Sequence, residues 1–346
     1  MTGPGASLVG VAGSRRTAPD GRGTAGGPGT VLALDVGGTK LAVGIADATS
    51  GEWLALRRGP TPPDGVAGLA ALCSLADEVV RQATDEGAGQ VRGIGVSFGG
   101  HVDSATGVVR RSVQVPGWED VPLSALLADR FGARTELCND GTAGAVGEWA
   151  DGAGRGLSNL VYLTVSTGVG GGLVLDGRPY EGTAGFAAEL GHLPVREGDE
   201  TCACGLSACL ETVAAGPALA RAAAARLAAG EESVLATLDG PLDGIAVSAA
   251  ALKGDRLATE VLERAGRAVA EVVSTLVIAL DPQAVLVGGG VAHAAPPFWD
   301  AFRASIRTPA TDDRWVRIGA AQHIDDAPLI GARAIGLRLA RGDRAS

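Results

Sequence analysis

Short apolar runs alternate with stretches of helical spacing along most of the chain. Residues 31–36, Val-Leu-Ala-Leu-Asp-Val, are apolar except for one acid and predict a buried strand. Gly37-Gly38-Thr39-Lys40 turns the chain, and 41–46 returns as a second strand. Further strands are predicted over 91–98, over Thr135–Cys138, over 160–165 and over 284–287. Ser166–Gly172 is read as a turn after the 160–165 strand, with 173–175 returning. Gly99–Asp103 is read as a turn and 110–120 as a loop beside a pocket. Helical spacing marks 66–86, where Val66, Leu69, Leu72, Leu75 and Val79 share a face before Gly87. It also marks 123–131, 141–149, 217–229 and 328–340, and the long run 256–280 that ends at Asp281-Pro282. Strands that alternate with helices predict an α/β protein.

The chemistry sits at the strand ends. Asp35 closes a buried strand, and paired glycines with Thr39 follow it. Glycines let backbone N–H groups approach an anion, so this turn suits a phosphate and Mg²⁺. An ordinary Gly-Gly hairpin is the alternative. It is not a Walker A loop, because the spaced Gly-Lys-Ser/Thr signature is absent. The segment at 160–175 repeats the plan of strand, Gly/Thr turn and strand. Two such hairpins predict a duplicated unit, with one phosphate-gripping turn per lobe and a nucleotide in the cleft between. Asn139-Asp140 ends a strand and opens a helix, where the helix dipole favours a carboxylate. A plain N-cap is the other reading of Asp140. Gly288-Gly289-Gly290 suits either a close approach to an adenosine or a tight strand-to-helix turn.

Composition narrows the class. At 346 residues and 46% apolar content the chain can build two ordinary cores. A net charge of −10 argues against a nucleic-acid partner, which demands a basic face, but not against ATP. No apolar run reaches the ~18 residues of a membrane span. The first 29 residues lack a signal-peptide core and read as a disordered tail. Five cysteines are an odd number and a poor disulfide framework, which fits a reducing, cytoplasmic setting. Three of them, Cys202, Cys204 and Cys209, follow His192 closely and supply four soft ligands for a structural, tetrahedral Zn²⁺. Three unligated thiols in a Gly-rich loop are the alternative.

With these pieces assembled, the chain resembles the ROK family of repressors and sugar kinases, particularly its bacterial glucokinase-like members. The likeness rests on LALDVGGTK at 32–40, GIGVSFGG at 93–100, ND at 139–140 and LTVSTGVGGG at 163–172. ELGH at 189–192, CACGLSACLE at 202–211 and VGGG at 287–290 complete it. The resemblance implies an actin-like ATPase fold, a duplicated ribonuclease H-like unit in two lobes with an interlobe cleft. The lobes would be 30–138 with 326–341, and 139–325 carrying the zinc loop. It implies a hexokinase-type enzyme that uses ATP and Mg²⁺ on the 6-hydroxyl of glucose or a related hexose. An N-acetylhexosamine kinase and a non-catalytic sugar-sensing regulator are the alternatives, and polyphosphate is an alternative donor. Family regulators carry a helix-turn-helix ahead of this part, and the Gly/Pro-rich residues before the first strand do not suit one.

By motif match, Asp140 would be the catalytic base. Asp35 would hold Mg²⁺ through water. Gly37, Gly38, Thr39, Lys40, Ser166, Thr167 and Gly168 would bind phosphates, and Gly288 and Gly289 would lie by the adenosine. Gly99, Asn139, Asp140, Glu189, His192 and Glu211 would meet the sugar. His192 would also share the Zn²⁺ with Cys202, Cys204 and Cys209, one ring nitrogen on the metal and the other toward the sugar. A homodimer or homotetramer in a glycolytic role is the family expectation. The chain departs from the family at Cys138, where Glu is usual, and at Gly141-Thr142. It departs again at Ser166 and Ala208, both places where Gly is common.

Overall fold

The computed structural model describes residues 29–112, 114–307 and 316–343. The tail expected over 1–29 lies, Gly29 apart, outside them. The described chain forms two compact units. The division falls between Asn139 and Asp140, and again between Gly331 and Ala332 inside the last helix, later than the expected return at 326.

The first unit is built on β1 (Thr30–Val36), β2 (Lys40–Asp47), β3 (Trp53–Pro60) and α1 (Gly65–Asp85). β4 (Val91–Phe98), β5 (His101–Asp103), β6 (Val108–Arg111), α2 (Leu123–Phe131) and β7 (Arg134–Asn139) follow. The main sheet has the order β3-β2-β1-β4-β7, with β1, β4 and β7 paired parallel and β2 antiparallel to both its neighbours, β1 and β3. Every residue of β1 is buried, which is why it reads as a continuous apolar run. α1 begins where the Asp64 carboxylate accepts the Ala67 N–H at 2.9 Å, an N-cap that satisfies an otherwise orphaned donor. Leu72, Ala76 and Val79 of α1 share the core with Leu34, Val43, Ile94 and Val96. Each fully buried Leu or Val there stabilises by about 1.5–3 kcal/mol.

Two expectations change in this unit. Gly99–Asp103 is not a simple turn, because β5 pairs with β6 as a small ribbon. The 110–120 segment folds inward at Trp118. That ring is 1% exposed and packs edge-on against Phe98, 5.0 Å between centroids. Trp118 is therefore a core residue and not a pocket wall.

The second unit runs α3 (Asp140–Asp151), β8 (Leu160–Val165), β9 (Val169–Leu175) and β10 (Arg178–Pro179). Then come α4 (Glu211–Ala214), α5 (Gly216–Ala228), α6 (Gly244–Leu252) and α7 (Arg256–Leu280). β11 (Ala284–Gly288), α8 (Pro296–Ser305) and β12 (Arg317–Ala320) follow, and α9 (Ala327–Ala340), divided between the two units, closes the chain. Its sheet has the order β10-β9-β8-β11-β12. The directions repeat those of the first sheet: β8–β9 and β9–β10 antiparallel, β8–β11 and β11–β12 parallel. The duplication predicted from two hairpins is thus a duplication of the whole five-stranded sheet. α7 ends at Asp281, whose φ of 47° breaks the helix before Pro282.

The glycine run at 170–172 corrects another expectation. The turn is only Ser166-Thr167-Gly168, and Gly170, Gly171 and Gly172 lie within β9. Close packing explains them. A Cβ at Gly172 would lie 2.8 Å from the Gly141 carbonyl carbon, and one at Gly171 would lie 2.6 Å from Leu190 Cγ. The missing side chains let α3 and the segment at Leu190 approach β9 at backbone distance.

Candidate active site

The first turn and Asp35 are braced from within their own unit. The Asp35 carboxylate, 7% exposed, accepts the hydroxyl of fully buried Ser97 at 2.7 Å. Ser97 stands opposite Asp35 in the β1–β4 ladder, so sheet register sets this pair. The Gly37 N–H donates to the Lys40 carbonyl at 3.0 Å, and the Thr61 hydroxyl donates to the Gly37 carbonyl at 2.6 Å. Thr39 and Lys40 are exposed at the tip. Ser97 and Thr61 were not among the predicted site residues. Ser97 lies in the GIGVSFGG stretch, and a polar residue in an apolar strand was the available signal.

At the end of β7 the Asn139 amide donates to the Gly100 carbonyl at 3.1 Å, fixing the side chain beside the Gly99-Gly100 turn. Asp140 is the first residue of α3, half-buried, and its Oδ1 accepts the Gly141 N–H at 2.9 Å. The sequence places the two side by side. The structure gives each its own unit.

In the second unit, the Ser166 N–H donates to the Gly168 carbonyl at 2.8 Å and closes the second turn. Ser166 and Thr167 are exposed. Gly288 ends β11 and Gly289 follows with a φ of 77°. A Cβ at Gly288 would sit 2.6 Å from the Tyr162 hydroxyl, and one at Gly289 would sit 2.6 Å from the Val165 carbonyl oxygen. Packing alone therefore requires glycine at both places.

Glu189 precedes a short 3-10 turn, Leu190–His192, and follows Ala188, a non-glycine residue at φ 67°. The His192 Nδ1 faces the Cys202 sulfur at 3.7 Å, which leaves Nε2 on the other side of the ring. The Cys204 and Cys209 sulfurs are 3.6 Å apart. All four ligand atoms lie within 4.8 Å of one another. A tetrahedral ion with Zn–S bonds of ~2.3 Å has ligand edges of about 3.7 Å, so the donor set and its spacing fit zinc. Burial pushes the Cys209 thiol up to about 12, so it keeps its proton unless a cation replaces it. The backbone N–H of Leu206 pulls the exposed Cys204 thiol down. The loop is pinned outside the cluster as well. Glu197 pairs with Arg267 at 2.8 Å, and Glu200 with Arg221 at 3.2 Å.

Glu211 opens α4 two residues after Cys209. Its Oε2 accepts the Val169 N–H at 2.8 Å, at the foot of the second turn. Motif matching gave Glu211 a sugar contact and no part in that turn.

The sequence profile of the ROK family matches residues 31–338. The chain belongs to the ROK family. A glucokinase of Thermotoga maritima is 30% identical over 311 residues, covering 88% of this chain and 96% of the relative. Among solved structures, a ROK hexokinase from Thermus thermophilus is 35% identical with a TM-score of 0.75. That match covers 91% of this chain and all of the other. A ROK glucokinase from Streptomyces griseus in complex with glucose and AMPPNP is 31% identical with a TM-score of 0.74, covering 88% and 98%. The two sheets of repeated order are those of the actin-like ATPase fold shared by these ROK sugar kinases. Among the described residues no helix is long and apolar enough to cross a membrane.

Proposed function

We propose that this ROK protein transfers the γ-phosphoryl group of ATP to the 6-hydroxyl of glucose or a closely related hexose. The enzyme class, sugar kinase, rests on its family and its kinase relatives. The observation that supports the finer reading is the pair of turns at matching places in two sheets of one order, with Asp35 near the end of β1 and Asp140 at the start of α3, which this reading assigns to the phosphate and to the alcohol.

Phosphoryl transfer asks the protein mainly to position groups and to neutralise charge. In this reading the backbone N–H groups of Gly37, Gly38, Ser166 and Gly168 meet phosphate oxygens, with the hydroxyls of Thr39 and Thr167 and the Lys40 ammonium beside them. Gly288 and Gly289 border the adenosine. Mg²⁺, where bound, would offset the developing phosphate charge, and Asp35, held rigid by Ser97, would hold it. Gly99, Asn139, Glu189, His192 Nε2 and Glu211 Oε1 would orient the sugar hydroxyls. Asp140 would accept the proton as the hydroxyl oxygen attacks phosphorus in line. Zn²⁺, where bound, supplies a rigid corner that fixes the His192 ring.

A coupled ADP-release assay with a sugar panel tests this. Glucose is expected to give the highest kcat/KM, ahead of mannose, fructose, N-acetylglucosamine and N-acetylmannosamine. ADP release that no sugar stimulates would refute the kinase reading. An N-acetylhexosamine leading the panel would replace the substrate class.

A further inference from the structure

The second turn and the metal loop are joined by hydrogen bonds that form one continuous frame. Val195 donates to the Ala208 carbonyl at 2.8 Å, and Leu210 donates to the Leu193 carbonyl at 2.9 Å. Pro194 pairs with Cys209 between them. The two flanks of the cluster, the His192 side and the Cys209 side, therefore run antiparallel and move as one. Directly after Cys209, the chain reaches back to the second turn twice. Glu211 Oε2 accepts the Val169 N–H, and the Gly216 N–H donates to the Ser166 carbonyl at 2.8 Å. The turn thus has each end tied to the six-residue segment from Glu211 to Gly216.

The first of these ties is the one that depends on a side chain. Glu211 lies against the turn closely enough that a Cβ at Gly168 would sit 2.8 Å from Oε2. A carboxylate on a backbone N–H is a charge-assisted bond, roughly twice as strong as a neutral one. We propose that Glu211 is a positioning residue that transmits the state of the metal loop to the second turn, so that loss of the metal weakens nucleotide binding as well as sugar binding. This rests on the phosphate role proposed above for Ser166–Gly168. The geometric part, that metal and turn are coupled through Glu211, does not need it.

The physical sequence is short. Without the ion, the Cys209 sulfur loses its shared bond with the His192 ring and Cys202, and the two flanks keep only their backbone bonds. The start of α4 is then held less firmly, by its backbone bond at Leu210, and a single turn of helix adds little stability of its own. Glu211 loses its place, and the Val169 N–H loses its acceptor.

The test uses the full chain and two readouts taken without sugar. Amide exchange of 166–169 is followed in the metal-loaded protein, in the chelator-treated protein, and in Glu211→Ala and Glu211→Gln. Affinity for AMPPNP with Mg²⁺ is measured by calorimetry in the same set and in Thr167→Ala. Chelation and Glu211→Ala are expected to speed Val169 exchange by about tenfold or more, the loss of one charged hydrogen bond. Glu211→Gln, which keeps an acceptor oxygen, is expected to restore slow exchange. Exchange in β1 and β4 serves as the control for global unfolding. Unchanged Val169 exchange in either the chelated protein or Glu211→Ala overturns the coupling, and so does failure of Glu211→Gln to rescue. Nucleotide affinity is expected to fall in parallel with faster exchange. If Thr167→Ala leaves that affinity intact, the phosphate role of the turn falls, while the exchange data still judge the coupling.

Discussion

The turn at 37–39 and the turn at 166–168 stand at the same place in two sheets of identical strand order, yet they are held by different means. The first is fastened by side chains of its own sheet and the loop beyond it, Ser97 on Asp35 and Thr61 on Gly37. The second is fastened by a segment that comes out of the Cys/His cluster. The ladder makes the contrast sharper. Asp35 lies opposite Ala42 and Ser97, whereas Thr164, at the matching place in β8, lies opposite Gly170 and Gly288. A duplicated scaffold has kept its shape while the strand-end acid is found on one copy and the Cys/His cluster on the other. One turn is suited to a hard cation, and the other is suited to being rigidified from outside.

Removing the metal ligand set should break the comparison most severely. Structural zinc contributes roughly 10–16 kcal/mol in small peptides. Cys202→Ser is expected to reduce bound zinc from one ion per chain to none and to lower the melting temperature, read by metal analysis and calorimetry. A variant that loses zinc and melts like the parent would show that the second turn does not need its frame. A smaller effect belongs to the first turn. Ser97→Ala removes the hydroxyl that donates to the buried Asp35 carboxylate, and losing a hydrogen bond to a buried charged group costs about 1–3 kcal/mol. Equilibrium denaturation should show that loss, and the Mg²⁺ concentration for half-maximal rate should rise. No change in the Mg²⁺ requirement would separate Asp35 from the cation.

The smallest effect comes from Ala208. It adopts a φ of 61°, a left-handed conformation that favours glycine, which explains why the family often has Gly there. Ala208→Gly should relieve strain and stabilise the loop by about 1 kcal/mol net of the added chain entropy. Slower metal release to a chelator is the measurement, and faster release would contradict it.

Much of this was legible in the chain. The strand at 160–165, the helix at 123–131 and the helix at 256–280 were read with the bounds the structure shows, because each has a clear period and a clear stop. The Cys/His cluster was legible too, since its donors are close in sequence. β3 was missed because paired arginines interrupt its pattern, and α6 because its glycine-flanked, Ala-rich sequence carries little amphipathic signal. The glycines of 170–172 were misread as a turn, since residue type cannot tell a bend from a close approach of helix and strand. The bonds of Ser97 to Asp35 and Glu211 to Val169 span 62 and 42 residues, and only the folded sheet brings those groups together.

The central claim is that one carboxylate takes the proton of the sugar alcohol. Asp140→Asn, isosteric and uncharged, measured by steady-state turnover alongside AMPPNP titration, tests it most directly. The expected result is turnover lower by about 10²–10⁴-fold with nucleotide affinity unchanged. Turnover within a few-fold of the parent would contradict it and move the base elsewhere.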